Sequence, residues 1–310
     1  MDSPAWPAAE AGTACLALRT VVVTAADHNQ FSLLRHMLAT LRAVPDGSAL
    51  PVVCLDLGLE SADLDWLAGA GVEARAPRHR FDLPPHPAWQ DGYLAQPFLR
   101  ETLPGWDVYL WIDADIWFQD GRAIAAFLAG AAQSGFAIAH ERCPDYRMQP
   151  WLQAWMAKHF VRGFGLVPGL WLATRAHLNS GLFALRADAP LWEPWTEAFA
   201  AAIRRTGDAT PHGQFAMNRL VHGRLPGAAR LPATLLEPWA NWICDRGMPM
   251  WNDEACAFCE PRAPWRILSA LHLAGPGKRE TYRIRRTGGG EFLTRLLPGA
   301  SPETPVLDGR

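Results

Sequence analysis

Several features that would direct a chain to a membrane or to nucleic acid are absent from this 310-residue sequence. Its 29 basic and 31 acidic residues nearly cancel, so no overall positive charge favours binding to nucleic acid. No apolar stretch reaches the roughly 18 residues that a membrane span requires. Residues 1–12 contain no basic region like the one that begins a secretory signal. We therefore expect a cytoplasmic protein without a transmembrane segment or a nucleic-acid partner.

Cysteine is scarce, and only one pair has the spacing of a metal motif. Cys256 and Cys259 are separated by two residues, with Cys244 upstream. A structural zinc site needs four ligands, and no second paired motif supplies them. Cys15 and Cys54 lie in apparent strands, where cysteine behaves as a small buried hydrophobic residue. We expect reduced thiols, and zinc at the other three cysteines is the less favoured alternative.

Tyrosine is also rare, with 4 residues against 15 tryptophans. Hydrophobic residues make up 49% of the chain, which is enough for an ordinary globular core. We expect most tryptophans to pack in that core, although an indole face is also a good platform for a sugar ring. The length suits one large α/β domain or two small ones.

Apolar residues alternate between the periods of strand and helix in the first part of the chain. Strands are predicted at residues 20–24, 51–57 and 72–75. One helix is predicted from Phe31 to Leu41 and another from Ser61, which is interpreted as its N-cap. This order predicts a parallel sheet with right-handed crossovers. Further helices are predicted at residues 94–103, 122–132, 191–205 and 214–221, and further strands at 106–112, 135–139, 179–185 and 265–273.

Residues 141–175 do not follow this alternation. They are rich in tryptophan, proline, glycine and arginine and have little regular period. Long segments of this kind are usually functional, so we predict an irregular excursion that acts as an acceptor lid. Trp151, Trp155 and Trp171 within it are interpreted as packing residues rather than as a surface that stacks on an acceptor.

The end of the chain is predicted to be a loose basic tail at residues 283–310, which leaves a single domain at residues 1–282. Arg283, Arg285 and Arg286 give this tail its charge. Weak peripheral contact with anionic lipid is the alternative to an ordinary solvated tail.

The most informative segment is an apolar run that ends in Asp113 and Asp115, one residue apart. Carboxylates in such a setting are costly to bury unless something positive pairs with them. The pattern suits a hard divalent cation that also binds phosphate oxygens. A strand followed by an ordinary turn is the alternative, because aspartate is common in turns.

Polar clusters follow or precede other predicted strands as well. They occupy residues 25–29, 179–181 and 272–278, in addition to residues 113–115. Because open parallel sheets bind ligands at the carboxyl ends of their strands, these clusters are predicted to surround one ligand.

With these motifs the sequence resembles the retaining glycosyltransferases of family 8. Residues 25–29 look like that family's nucleotide-binding start, residues 113–115 like its Asp-x-Asp, and residues 179–182 like its Asn-[Ser/Ala]-Gly strand. His272, Gly275 and Lys278 match its His-x-x-Gly-x-x-Lys. The resemblance covers about residues 20 to 280. It implies a GT-A-like α/β fold with a Rossmann-type central mixed, mostly parallel sheet flanked by helices. It also implies a UDP-sugar donor with Mn²⁺ or Mg²⁺, and an acceptor that is a carbohydrate, a glycolipid or a protein.

The resemblance also implies a role for individual residues. Metal ligands are implied at Asp113, Asp115 and His272. Catalytic positions beside the transferred sugar are implied at Asn179 and Gln214. Contacts with the donor nucleotide are implied for Ala25, Ala26, Asp27, Asn29, Gln96, Asp113, Ala114, Asp115, Gly275 and Lys278. Of these, Asp27 would meet the uracil, Asn29 the ribose and Lys278 the phosphate charge.

Three positions depart from the family's pattern and leave the donor sugar open. Gly213 stands where the family has an aspartate before the glutamine, and Gln96 stands about where it has an arginine or lysine. Arg279 follows the lysine in place of Pro-Trp.

The resemblance therefore implies a metal-dependent hexosyltransferase that acts with retention. A sugar nucleotidyltransferase is one alternative, but that class usually has a glycine-rich basic loop after the first strand, and residues 25–30 contain neither glycine nor a lysine or arginine. A catalytically weak carbohydrate-binding or scaffold protein with the same fold is the other. The acceptor, the donor sugar, the anomeric outcome and the oligomeric state remain open.

Overall fold

The computed structural model describes residues 18–223, 230–275 and 277–303. Residues 1–12, Cys15 and the last seven residues of the predicted tail lie outside these ranges. The strands are β1 (Thr20–Ala26), β2 (Val52–Asp56), β3 (Val72–Arg75), β4 (Val108–Ile112), β5 (Ile116–Phe118), β6 (Phe136–His140), β7 (Leu178–Arg186), β8 (Thr234–Leu236), β9 (Trp242–Ile243), β10 (Met250–Asn252), β11 (Ala257–Cys259), β12 (Ala270–His272), β13 (Tyr282–Arg285) and β14 (Glu291–Thr294).

Most helices lie between the strands of the first two thirds of the chain. They are α1 (Phe31–Ala43), α2 (Pro45–Ser48), α3 (Ser61–Gly69), α4 (Gln90–Ala95), α5 (Leu99–Thr102), α6 (Arg122–Ser134), α7 (Pro150–Phe164), α8 (Leu166–Ala173), α9 (Trp192–Thr206) and α10 (His212–His222). Short 3-10 helices lie at His28–Gln30, Gln96–Phe98 and Pro238–Ala240.

The main sheet has seven strands in the order β3-β2-β1-β4-β7-β6-β8 within the described chain. Strands β3, β2, β1 and β4 are parallel neighbours. Strand β7 is antiparallel to both β4 and β6, and β6 is parallel to β8. The predicted mixed, mostly parallel sheet flanked by helices is therefore confirmed.

The sheet is covered on both faces, which explains why its strands are nearly continuous apolar runs. Val21 and Val23 belong to one buried cluster and Val22 belongs to the cluster on the opposite face. This alternation is the two-residue period of a strand. Every residue of β1 except Ala25 is buried.

A smaller layer built from the last third of the chain lies beside the main sheet. Strand β12 pairs antiparallel with β5 and parallel with β9. The predicted strand at residues 265–273 is thus reduced to Ala270–His272, and it belongs to this small sheet rather than to the main one. Because β5 follows the Asp-x-Asp segment directly, the pairing brings His272 opposite Ile116, beside the two aspartates.

The expectation of an irregular segment at residues 141–175 is wrong for most of its length. Residues 150–164 and 166–173 form α7 and α8, which are packed against each other. Gly165 separates them with a φ of 92°, a conformation that glycine adopts readily. The apolar spacing of α7 was obscured because aromatic residues face both the core and solvent: Phe160 is buried, whereas Trp151 is exposed.

The loose tail is contradicted as far as residue 303. Strands β13 and β14 form an antiparallel hairpin, and Arg286 makes a bridge with Trp251. Ile284 and Leu296 are fully buried in a third apolar cluster. Arg283 forms an ion pair with Glu291, and Arg286 pairs with Asp253 at 2.7 Å. Two of the three arginines are therefore neutralised locally.

Two predicted details of the helices are corrected. The region predicted as one helix at residues 94–103 consists of α4, a 3-10 turn and α5, because Pro97 has no backbone N–H to continue a helix. The N-cap of α3 is Glu60 rather than Ser61, and it forms a capping box with Asp63.

The cysteines of the described chain are free, and Cys54 is buried in β2 as expected. Cys256 is exposed and has a φ of 49°, whereas Cys244 and Cys259 are buried. No helix in the described ranges combines the length and the apolarity needed to cross a bilayer.

Candidate functional site

Two cavities open at the carboxyl ends of β1 and β4. The smaller has a volume of about 400 Å³ and lies over residues 25–30 at the end of β1. The larger has a volume of about 700 Å³ and lies over β7 and the start of α10. Asp113, Asp115, Lys278 and Tyr93 line both cavities. The Asp-x-Asp segment therefore stands where the two cavities meet.

Backbone hydrogen bonds to neighbouring segments hold the two aspartates in place. The N–H of Asp113 donates to the carbonyl of Gly181 at 2.8 Å, and the carbonyl of Asp113 accepts the N–H of Ile116 at 3.1 Å. The carbonyl of Asp115 accepts the N–H of Leu273 at 3.0 Å. These bonds connect β4, β7 and β12 around the two residues and fix the backbone from which both carboxylates project.

The carboxylates of Asp113 and Asp115 share a cluster with His272 and Lys278. His272 Nε2 lies 3.4 Å from Asp115 Oδ1 and 3.8 Å from Asp113 Oδ2. Lys278 Nζ donates to Asp115 Oδ2 at 2.9 Å. Trp111 Nε1 donates to Asp113 Oδ1 at 2.7 Å. The cluster thus combines two carboxylates with two basic groups, as the sequence predicted.

The electrostatics of the cluster differ between the two aspartates. Burial and the charge of Asp115 raise the pKa of Asp113. Burial alone would also raise the pKa of Asp115, but His272 and Lys278 outweigh that effect and lower it. Burial would lower the pKa of His272, but the charge and hydrogen bond of Asp115 raise it. A divalent cation placed among these groups would favour the ionised form of both carboxylates.

Gly181 keeps the space beside these side chains open. A Cβ at this position would lie 2.3 Å from His272 Cε1 and 2.8 Å from Asp113 Oδ2. One side-chain atom from each of Asp113, Asp115 and His272 lies within 4.8 Å of the others. The Nδ1 atom of His272 is buried and has no hydrogen-bond partner in the described chain, so Nε2 is the ring nitrogen that contacts the aspartates. The donor set and the room both fit a divalent cation.

The smaller cavity contains most of the residues predicted to contact the nucleotide. Ala25, Ala26, Asp27, Asn29 and Ala114 all line it. Asp27 also caps the following 3-10 turn, because its Oδ1 accepts the N–H of Gln30 at 2.9 Å.

Sequence reasoning missed part of the wall of this smaller cavity. Trp89 and Gly92 line it, although neither belongs to a recognised motif. The indole of Trp89 is exposed. A Cβ at Gly92 would lie 3.2 Å from Leu57 Cδ1, so a glycine lets α4 pack closely against the end of β2.

Gln214 lines the larger cavity but is already engaged. Its Oε1 accepts the backbone N–H of Ser180 at 2.9 Å and the Ser180 hydroxyl at 3.0 Å. Its Nε2 lies 2.6 Å from His177 Nε2. Burial lowers the pKa of His177 to about 4, so the ring is neutral and accepts this hydrogen bond at neutral pH. Gln214 is therefore held in one orientation against the start of β7.

Asn179 is part of a buried polar network that sequence reasoning largely missed. Its Nδ2 donates to Glu141 Oε1 at 3.0 Å, and its Oδ1 accepts the N–H of Gly181 at 2.9 Å. Arg246 Nε donates to Glu141 Oε2 at 3.1 Å and its Nη1 donates to Asp245 Oδ2 at 2.5 Å. Arg246, Asp245 and Asn179 line the larger cavity, whereas Glu141 stands behind them with 1% of its side chain exposed.

The sequence contained only a weak signal for this network. Glu141 follows β6 directly, at a strand end where polar residues are expected to face a cleft. Asp245 and Arg246 follow the two-residue strand β9, which is too short to leave a periodic pattern. Gly275 also lines the cavity, and its φ of 88° explains the glycine of the His-x-x-Gly motif.

Gln96 is the one predicted site residue that the structure separates from both cavities. It is fully buried and lines neither of them, and its side-chain amide has no hydrogen-bond partner in the described chain.

Trp151 and Trp155, which were interpreted as packing residues, instead line the larger cavity with 67% and 38% of their surface exposed.

No protein-family model matches the chain, and no curated protein matches it in sequence. Among solved structures, the chain is similar to the galactosyltransferase LgtC in complex with donor and acceptor sugar analogs, with 13% identity and a TM-score of 0.51 over 83% of this chain and 87% of that one. It is also similar to the apo structure of the bifunctional glycosyltransferase WbbM, with 13% identity and a TM-score of 0.52 over 84% of this chain and 46% of that one. These similarities show a common GT-A fold.

Proposed function

We propose that this chain is a metal-dependent glycosyltransferase that moves a hexose from a UDP-sugar to an acceptor with retention of the anomeric configuration. The proposal is carried by one observation: Asp113, Asp115, His272 and Lys278 meet at the junction of two cavities. The GT-A fold supports it, because the solved structures that share this fold include glycosyltransferases.

The cluster has the composition that a divalent cation and a diphosphate require. Asp113, Asp115 and His272 would hold Mn²⁺ or Mg²⁺, and Gly181 leaves room for it. When bound, the cation supplies positive charge to the diphosphate as the bond to the anomeric carbon breaks. Lys278 adds a second positive charge on the same side, so the leaving group does not need a protonating acid.

The two cavities divide the donor between them in this proposal. The nucleotide would occupy the smaller cavity, with Asp27 at the uracil and Asn29 at the ribose. The sugar would occupy the larger cavity beside Asn179 and Gln214. Arg246 lines the larger cavity with its charge paired to Glu141 and Asp245, whereas Gln96 is buried away from both cavities.

The state of Gln214 bears on how a retaining transfer would proceed. An amide is a poor nucleophile, and the amide of Gln214 is already bound to Ser180 and His177. Attack by the acceptor on the face from which the diphosphate leaves therefore fits Gln214 better than the formation of a covalent adduct with it. Gln214 would position Ser180 and the sugar rather than form a bond.

The acceptor would enter the larger cavity past Trp151 and Trp155. Exposed indole rings at a cavity entrance favour a carbohydrate, either free or attached to a lipid or a protein. A cytoplasmic location, with at most weak contact at a membrane surface, agrees with an acceptor of any of these kinds.

Calorimetric titration of the protein with UDP, with and without Mn²⁺, tests this proposal. We expect UDP binding that depends on Mn²⁺ in the wild type, and loss of that dependence in Asp115→Asn, because the substitution removes one ligand and the partner of Lys278. Asp65→Asn, on the exposed side of α3, is the matched control and should bind like the wild type.

Turnover assays beside this titration separate the alternatives. A UDP-sugar that is hydrolysed or transferred in the presence of Mn²⁺ supports the transferase. Binding of UDP or sugar without turnover would favour a scaffold protein that retains the fold. Binding of nucleoside triphosphate and sugar phosphate, with release of pyrophosphate, would favour a nucleotidyltransferase. Absence of UDP binding under all conditions would overturn the proposal.

A further inference from the structure

A second group of metal-ligand side chains lies outside the Asp113–Asp115–His272 cluster. His79, His86 and Asp91 each place one ligand atom within 4.8 Å of the others. His79 Nε2 lies 3.2 Å and His86 Nε2 lies 3.0 Å from the same oxygen, Oδ1 of Asp91. The three side chains are partly shielded, with 20%, 20% and 27% of their surface exposed.

The spacing of these atoms is close to that of a tetrahedral metal site. Ligands about 2.0–2.1 Å from a tetrahedral zinc ion are about 3.3 Å from one another. The two nitrogen-to-oxygen distances of 3.2 and 3.0 Å are therefore near this value before any ion is added. Only a small opening of the group is needed to admit an ion.

The hydrogen bond of His86 to the backbone adds an independent observation. Its Nδ1 lies 3.0 Å from the carbonyl of Pro84, which can only accept, so Nδ1 carries the hydrogen. Its Nε2 is then the nitrogen that faces the carboxylate of Asp91, 3.0 Å from Oδ1. A backbone carbonyl on the second nitrogen is also how metal-bound histidines are usually oriented.

The surroundings leave access for solvent as a fourth ligand. His79 and Asp91 line a cavity of about 520 Å³ together with Arg78, Arg80 and Glu101. The charge of Arg80 is neutralised by Glu101, with which it shares a hydrogen bond. His79 Nδ1 is buried without a hydrogen-bond partner in the described chain, so Nε2 is the nitrogen of this ring that faces a ligand position.

We propose that His79, His86 and Asp91 form a transition-metal site of the zinc type that organises the loop between β3 and α4. Two imidazoles and one carboxylate favour Zn²⁺ over Mg²⁺ or Mn²⁺. The site joins both ends of a loop at residues 76–89 that contains no helix or strand. The helix that supplies Asp91 also supplies Tyr93, and the loop ends at Trp89, and both of these aromatic residues line the smaller cavity. The metal thus supports one wall of that cavity without contact with the aspartates of the Asp-x-Asp segment.

The site is tested with the full chain, stripped with a chelator and titrated with Zn²⁺ or with Co²⁺ as a spectroscopic probe. The Asp115→Asn background removes competition from the first cluster. We expect this protein to bind one Co²⁺ with the strong visible absorption of a tetrahedral site. Adding His86→Ala should abolish the absorption and weaken Zn²⁺ binding by about 100-fold or more, since even the loss of an outer-shell partner weakens such sites by about 10- to 100-fold.

Two controls keep the result decisive. His36→Ala removes another partly buried histidine whose Nδ1 has no partner in the described chain, and it should leave Co²⁺ binding unchanged. Asp91→Asn keeps the size of the side chain and should weaken binding as well, which covers the case in which His86→Ala does not fold. Melting curves in chelator establish that each variant is folded.

Trypsin provides a second readout, because Arg78 and Arg80 lie in the loop itself. Zn²⁺ should slow cleavage after these arginines in the Asp115→Asn protein and have no effect once His86→Ala or Asp91→Asn is added. Co²⁺ absorption and protection that persist in both variants would overturn the proposal, as would failure of the Asp115→Asn protein to bind either metal. Neither readout depends on transferase activity.

Discussion

The two cavities that share the Asp-x-Asp segment are built in different ways. The smaller one rests on the carboxyl ends of β1 and β4, two parallel neighbours in the main sheet. The larger one is assembled from the start of β7, the helices α7 and α10 and the small sheet that contains β12. One cavity is thus made by the regular part of the fold, and the other by segments distant in the chain.

This difference in construction is matched by a difference in chemistry. The lining of the smaller cavity contains no histidine among the described residues, and its one lysine is Lys278. The larger cavity contains the neutral His177 and the ion pair between Asp245 and Arg246. The shape of the smaller cavity thus depends on the regular edge of the sheet. The shape of the larger cavity depends on a polar network between segments that are distant in the chain.

The largest expected effect comes from breaking that network. Arg246→Leu leaves the buried Glu141 without its cation, and loss of one partner of a buried pair costs about 3–5 kcal/mol in the free energy of unfolding. Denaturant unfolding measures this. Below the melting point, calorimetry should still show UDP binding in the smaller cavity while sugar transfer is lost.

The control for Arg246→Leu is Arg75→Leu, which breaks an exposed ion pair with Glu73. We expect at most a small change in stability there, since solvent already screens such pairs. An equal loss in the two variants, or loss of UDP binding with Arg246→Leu, would show that the cavities are not energetically separate.

Gly181→Ala acts in the larger cavity, beside the aspartates that both cavities share. The added Cβ would approach His272 and Asp113, and overpacking of this kind costs about 1–3 kcal/mol. We expect lower Mn²⁺ affinity and loss of Mn²⁺-dependent UDP binding, both measured by calorimetry. Gly69→Ala is the matched control, because a Cβ there meets no atom within 4 Å and the residue ends α3. Unchanged Mn²⁺ affinity in Gly181→Ala would place the metal elsewhere.

His177 in the larger cavity should contribute to the pH dependence of stability. Burial lowers the pKa of His177 to about 4, below its ordinary value of 6.5. Between pH 6.5 and 4, residue 177 is therefore protonated in the unfolded chain but neutral in the folded one. The free energy of unfolding falls as pH falls through this window, by about 1.4 kcal/mol per pH unit at most. Unfolding free energies across this window should fall less steeply in His177→Gln than in the wild type. Parallel curves for the two proteins would exclude His177 as the cause.

The smallest effect on stability is expected for the exposed indoles. Trp89→Ala in the smaller cavity and Trp151→Ala in the larger one should each change the free energy of unfolding by less than about 0.5 kcal/mol. Their functional effects should differ. Trp89→Ala should weaken UDP binding by about 10-fold, in line with stacking energies of about 1–3 kcal/mol per base. Trp151→Ala should raise the KM for the acceptor and leave the Kd for UDP unchanged. The same effect on UDP in both variants would contradict the division of the two cavities.

The smaller cavity was largely predictable from the sequence. Asp27, Asn29, Asp113 and Asp115 follow strongly apolar strands, and the carboxyl ends of parallel strands necessarily face the same edge. The larger cavity was predicted only at Asn179, Gln214 and the closing motif. Arg246 follows a strand of two residues, and its partner Glu141 is more than one hundred positions earlier, so no local pattern connects them.

The sequence by itself determined the strand–helix alternation, the mixed sheet and the position of the Asp-x-Asp segment, because these depend on local periodicity and on the burial of β1 and β4. Only the tertiary structure decided that residues 150–173 form two packed helices, that β13 and β14 close the chain, and that His272 reaches the aspartates from a separate small sheet. It also separated Gln96 from the site and brought His79 and His86 to Asp91. These arrangements arise from contacts between distant segments, whose free energy depends on packing and on buried charge rather than on any local sequence preference.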